Sequence, residues 1–160
     1  MLITVTTAIY LFTLLILFLF ATSIYKKAPR DYRPMLLFLI TLFVFETVQF
    51  FVDSIYLRAT QYLLESLLIV WQAKTWGIFG KRKKLYLWLI YGLVISAIVR
   101  LIYNEVAPVN ISYFRIGSSI LIILLAIEMM NRELVAKKSG FYNSTIFQFS
   151  MALILFYLAT

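Results

Sequence analysis

Apolar runs of about twenty residues recur along this chain between short polar breaks, and that rhythm limits the fold more than any single motif does. As a helix, ~20 apolar residues cross the ~30 Å hydrocarbon core of a bilayer. The runs fall at about 2–25, 35–56, 61–79, 85–103, 111–130 and 145–160. They predict an all-α fold: one integral membrane helical bundle of about six transmembrane helices. Composition points the same way, because 63% hydrophobic against 14% charged residues leaves too little polar surface for a soluble domain of 160 residues.

The breaks carry their own signals. KKAPRDYRP (Lys26 to Pro34) is a basic loop, and Pro34 suits the first turn of the second helix. A short turn is expected around Leu57 to Thr60. Gly77 and Gly80 loosen the chain after the third run, and NEVAPVN (Asn104 to Asn110) reads as a tight turn after the fourth. The fifth helix is expected to continue out of the membrane as far as Lys138, with Glu128/Arg132 and Glu133/Lys137 as i, i+4 pairs in the favourable acid-first order. Ser139-Gly140 then stops it. Asn143 or Ser144 caps the last run, which is slightly short of a full crossing; that fits a shallow helix or a chain continuing past Thr160.

The first run is longer than a signal-peptide core, and its positive charges follow rather than precede it, so an uncleaved first helix is expected. The first, third and fifth loops hold 12 of the 15 basic residues, leaving only Arg58, Arg100 and Arg115 on the other side. By the positive-inside rule those three loops are cytoplasmic and the N-terminus is outside, in what reads as a bacterial cytoplasmic membrane.

The chain contains no cysteine and no histidine, which removes disulfides, thiol nucleophiles, His-ligated metals and His-based acid–base chemistry. No nucleophile–base pair or metal constellation stands out, so neither a cofactor nor a metal is expected, and the chain reads as non-enzymatic. A lipid-modifying enzyme would have to work with Glu46, Asp53 or Glu65 as acid and base. The net charge of +8 sits in short loops between apolar runs. Topology and anionic lipid explain that placement better than nucleic acid does.

Against this background the stretch FETVQFFVDSIYLRATQYLLE (Phe45 to Glu65) stands apart. Glu46, Gln49 and Asp53 are spaced i, i+3, i+7 and share one helix face; Gln61 and Glu65 are spaced i, i+4 on the next. An ionisable group in a bilayer costs roughly 2.5–3.5 kcal/mol on insertion scales, so each needs a partner, water or a purpose. The expected topology brings Glu46, Gln49, Asp53, Gln61 and Glu65 to the outer half of the bilayer, together with Arg100 and Arg115. Two readings stay open there. One is interhelical glue; the other is an outward-facing polar cup formed between helices two to five that binds a ligand, ion or lipid headgroup. Lys74, Lys81, Arg82, Lys83 and Lys84 form a second feature, read as contact with anionic lipid or docking of an acidic partner.

The runs FYNSTIFQFSMALILFYLAT (Phe141 to Thr160) and YLLESLLIVWQ (Tyr62 to Gln72) resemble bacterial multi-pass membrane proteins of the seven-helix sensor type, with six runs here rather than seven. The resemblance implies a sensor or scaffold that passes its state to a separate membrane or cytoplasmic chain, or acts as a homo-oligomer. The size also matches the substrate-binding subunits of energy-coupling-factor vitamin transporters. Against that family, the first helix lacks an AxxxA motif and the N-terminus lies on the wrong side. A small-molecule or ion transporter using the same cup is the alternative.

Overall fold

The computed structural model describes residues 5–52, 54–80, 82–106, 113–136 and 140–159. Among these the chain is all-α, with six helices: α1 Val5–Tyr25, α2 Arg33–Phe51, α3 Ile55–Thr75, α4 Lys83–Val106, α5 Tyr113–Ala136 and α6 Thr145–Ala159. Short 3-10 turns precede α2 (Arg30–Tyr32) and α6 (Phe141–Asn143). Three stretches are long and apolar enough to cross a membrane: Arg30–Phe51, Lys84–Ile102 and Tyr113–Ala136. Phe12–Tyr25 and Thr145–Leu158 are apolar but shorter. Of the six expected spans, then, length and composition support three among the described residues. The helix between the second and fourth runs is the instructive exception. Arg58, Gln61, Glu65, Gln72 and Lys74 all lie within α3, and they take it out of the apolar class.

The chain forms two compact units, 1–72 and 73–160. In the first, α1 packs along α2, with the Phe18 and Phe43 rings stacked at 4.6 Å between centroids. Leu36, Phe38 and Leu42 of α2 are buried, as are Leu14 and Ala21 of α1. Pro34 sits in the first turn of α2, where its missing N–H costs nothing, as its position in the sequence suggests. Near the end of α1, the Thr22 hydroxyl donates to the Phe18 carbonyl at 2.9 Å and the Ser23 hydroxyl to the Phe20 carbonyl at 2.8 Å. Both hydroxyls are thereby satisfied within an otherwise apolar helix.

The break between α2 and α3 falls earlier in the chain than the expected turn at Leu57 to Thr60. Helix α2 ends at Phe51, Val52 turns to extended backbone, and Ser54 precedes α3, its carbonyl accepting the Arg58 N–H at 3.1 Å. Leu57, Arg58, Ala59 and Thr60 are helical. The physical reason is capping: Asp and Ser favour the position before a first turn, whereas Leu-Arg-Ala carries no breaker. Asp53 itself lies outside the described residues. A similar correction applies at Asn104, which continues α4 to Val106 rather than opening a turn; residues 107–112 lie outside the described set.

In the second unit, α5 packs chiefly on α6 and also on α4. Phe114, Ser118, Ile122, Leu125, Met129 and Glu133 are buried at steps of three and four, one stripe along α5. Ser150, Leu153 and Tyr157 form the answering stripe on α6. Outward positions of α4 are apolar as well, including Leu87, Trp88, Tyr91 and Ile95, with Trp88 73% exposed. Exposed apolar surface on that scale marks contact with a partner or with lipid.

Turns in this unit rest on glycine. Gly77 and Gly140 adopt φ of +76°, a region that costs other residues roughly 1–2 kcal/mol. A Cβ at Gly77 would meet nothing within 4 Å, so the penalty there is purely conformational. We therefore expect Gly77→Ala to lower stability by about 1 kcal/mol, and Gly92→Ala within α4, where a Cβ also meets nothing, to raise it by about 0.5–1 kcal/mol. Detergent-phase thermal unfolding of the two variants would show opposite shifts; equal shifts would refute the backbone explanation.

Candidate functional site

Four of the expected polar residues form one network, built where α2 and α3 lie side by side. Helix α2 contributes Glu46 and Gln49, and α3 contributes Gln61 and Glu65, two residues that are respectively 3% and 2% exposed. At the centre is the Gln61 amide. Its Nε2 donates to Glu65 Oε1 at 2.7 Å and to Glu46 Oε1 at 3.2 Å. Its Oε1 accepts a close hydrogen bond from Gln49 Nε2. Both N–H bonds and the carbonyl of one side chain are thus in use, and two carboxylates from neighbouring helices share a single donor group.

Helical spacing explains the assembly. Gln61 and Glu65 are one turn apart on α3, and Glu46 and Gln49 nearly one turn apart on α2, so the two pairs face each other as short rungs. Ser66, next in the chain, is buried as well, its hydroxyl donating to the Tyr62 carbonyl at 2.7 Å. Tyr10 of α1 adds a group the sequence did not signal, its phenol lying within electrostatic reach of both Glu46 and Glu65. Nothing in its spacing points to α2 or α3; only the packing of α1 against α2 brings it there.

Gln72 is the second residue the sequence did not single out. It is 1% exposed, one face of its amide accepts the Met35 N–H at 2.8 Å, and the other donates to the Asp31 carbonyl at 2.6 Å. The Met35 N–H is among the helix-start donors that have no partner within α2. Gln72 thus closes the start of α2 from a helix 37 residues away in sequence. The Arg33 guanidinium lies 5.9 Å from the Tyr25 ring centroid, tying the same loop to the end of α1.

The remaining expected residues belong to the second unit or fall outside the described set. Arg100 and Arg115 lie on α4 and α5 and are half-buried. Lys74 ends α3, exposed, with Nζ 4.2 Å from the Tyr86 ring centroid. Arg82 and Lys84 are exposed at the start of α4, which begins at Lys83; Lys81 lies outside the described residues. Of the two expected acid-first pairs on α5, Glu128–Arg132 is made at 2.8 Å, while Lys137 lies outside the described residues.

Among the described residues no group of three or more acidic, histidine or cysteine side chains is arranged to hold a metal ion. The site chemistry is therefore that of two carboxylates, two amides and a nearby phenol: hydrogen bonding, proton exchange and weak cation contact. No family model, curated protein or solved structure matches this chain.

Proposed function

We propose that this chain is a non-enzymatic integral membrane subunit, a sensor or scaffold whose responsive element is the carboxylate–amide network between α2 and α3 and whose output goes to a separate chain. The observation that carries the reading is the Gln61 amide bridging Glu46 and Glu65. A buried carboxylate on α3 and a part-buried one on α2, joined through one amide, make the pairing of α2 with α3 depend on what occupies the network, whether proton, cation or ligand group. The links between the helices are short, so a change in that pairing is not read by a domain inserted between them, and a separate chain is the reader we favour. The apolar outward surface of α4 and three helices able to cross a bilayer support the membrane setting. The basic loops favour an outside N-terminus, in a bacterial cytoplasmic membrane, with loops one, three and five in the cytoplasm.

Gentle extraction followed by mass spectrometry of the intact assembly tests this directly. A second protein in fixed ratio is the expected result, with its retention altered by Glu65→Gln. A homogeneous particle holding only this chain and a small molecule would overturn the subunit reading.

The sharing of one donor by two carboxylates specifically favours a second reading, a transporter component that relays a proton or small cation. Under it, Glu46→Gln and Glu65→Gln abolish uptake into proteoliposomes while the fold survives. The introduced amide in Glu65→Gln keeps an oxygen facing the Gln61 Nε2. That substitution should therefore cost no more than about 1 kcal/mol in unfolding, and loss of function would not be loss of structure.

A further inference from the structure

The second unit holds a charged surface that the network above does not use. Between Ala73 and Leu85 the backbone winds through successive tight turns: Gly77 N–H to the Lys74 carbonyl at 3.0 Å, Gly80 N–H to the Gly77 carbonyl at 3.0 Å and Arg82 N–H to the Phe79 carbonyl at 2.7 Å. This winding keeps Lys74, Arg82 and Lys84 on one short stretch. Helix α5 adds a fourth cation that the sequence did not place there: the Arg132 Nη1 donates to the Gly77 carbonyl at 3.0 Å while its Nε donates to Glu128 at 2.8 Å. The guanidinium remains about half exposed while paired with Glu128.

The depth of this surface is set by its neighbours. The apolar stretch of α4 able to span a bilayer begins at Lys84, and Trp88 stands outward one turn further along. Trp76 packs edge-on against Phe149 of α6, and Lys74 lies over Tyr86. Cations at the end of a span, with indole and phenol rings just inside them, match the layer of lipid phosphates above the acyl chains. An acidic protein would be met by cations without needing the aromatic level beneath them. We propose that the α3–α4 turn together with Arg132 binds the headgroup of an anionic phospholipid, Arg132 and Lys74 engaging the phosphate and Arg82 and Lys84 the surrounding negative surface. The proposal rests on the membrane reading above.

The test uses the whole chain in dodecyl maltoside micelles, titrated with dioleoyl phosphatidylglycerol or dioleoyl phosphatidylcholine and followed by native mass spectrometry and thermal unfolding. The expected result is retention of phosphatidylglycerol, with a rise in melting temperature of several degrees and none with phosphatidylcholine. Lys74→Gln, Lys84→Gln and Arg132→Gln should each weaken retention about fivefold, while Arg58→Gln, on the first turn of α3, leaves it unchanged. Arg132→Lys keeps the charge and guards against a folding defect in the glutamine variant. Equal retention of both lipids, or equal loss in Arg58→Gln, would overturn the proposal. So would saturation by inorganic phosphate at the same concentration, or displacement of the lipid by a poly-glutamate peptide. A chain that stays dispersed without detergent would instead defeat the membrane reading itself, an outcome distinct from a detergent-requiring chain that ignores headgroup charge.

Discussion

Replacing Gln61 with leucine is expected to destabilise the protein by about 3 kcal/mol, the largest effect of any single substitution considered. In membrane proteins a side-chain hydrogen bond is worth only ~0.6 kcal/mol on average, so three lost bonds alone would not reach that value. The larger part comes from what stays behind. Glu46 and Glu65 lose their shared donor and Gln49 loses its acceptor at a contact that is buried on the α3 side and part-buried on the α2 side, and a buried polar group deprived of a hydrogen bond costs about 1–3 kcal/mol. The same reasoning fixes the sign of a coupling. Gln61→Leu combined with Glu65→Leu should be less destabilising than the sum of the two, by more than about 1 kcal/mol, because each change alone already breaks the hydrogen bond they share. Reversible unfolding in mixed micelles would measure this, and strictly additive costs would show that the network is not a unit.

Gln72→Leu is expected to act locally and almost as strongly. It takes the acceptor from the Met35 N–H and a donor from the Asp31 carbonyl, costing about 2–3 kcal/mol against about 1 kcal/mol for loss of an ordinary helix cap. The loss should concentrate in the loop before α2, which carries Lys26, Lys27 and Arg30. Limited trypsin digestion should therefore cut there on the order of thirty to a hundred times faster, since cleavage follows the population of the opened loop. Unchanged cutting, with the thermal midpoint lowered, would mean that Gln72 supports the core and not the loop.

Local signals are the ones that the fold follows most closely. Pro34, Gly77, Gly80 and Gly140 mark their turns through their own backbone preferences, and these can be read one residue at a time. The spacing of Glu46 with Gln49 and of Gln61 with Glu65 places each pair on one face, so the network is legible in outline from the sequence. The break before α3 departs from expectation because Asp and Ser at 53 and 54 favour a helix start, whereas Leu57 to Thr60 holds no breaker. Gln72, Tyr10 and Arg132 are not legible for a different reason. Each faces groups far off in sequence, and a residue's own neighbours in sequence say nothing about them. Arg100 and Arg115, grouped with the carboxylates from expected depth alone, lie on α4 and α5 in the second unit.

The polarity of α3 also bears on how the chain is made. A segment carrying Arg58, Gln61, Glu65 and Gln72 gains little by entering lipid alone, since each charged group at mid-membrane costs roughly 2.5–3.5 kcal/mol. Beside α2, the same amides and carboxylates satisfy one another. Under the membrane reading, α2 must therefore be held at the insertion machinery until α3 has been synthesised, so that the two leave it as a hairpin. A substitution at Gln61 would then be felt on the ribosome, as failed insertion and rapid degradation, before any folded molecule existed to be destabilised.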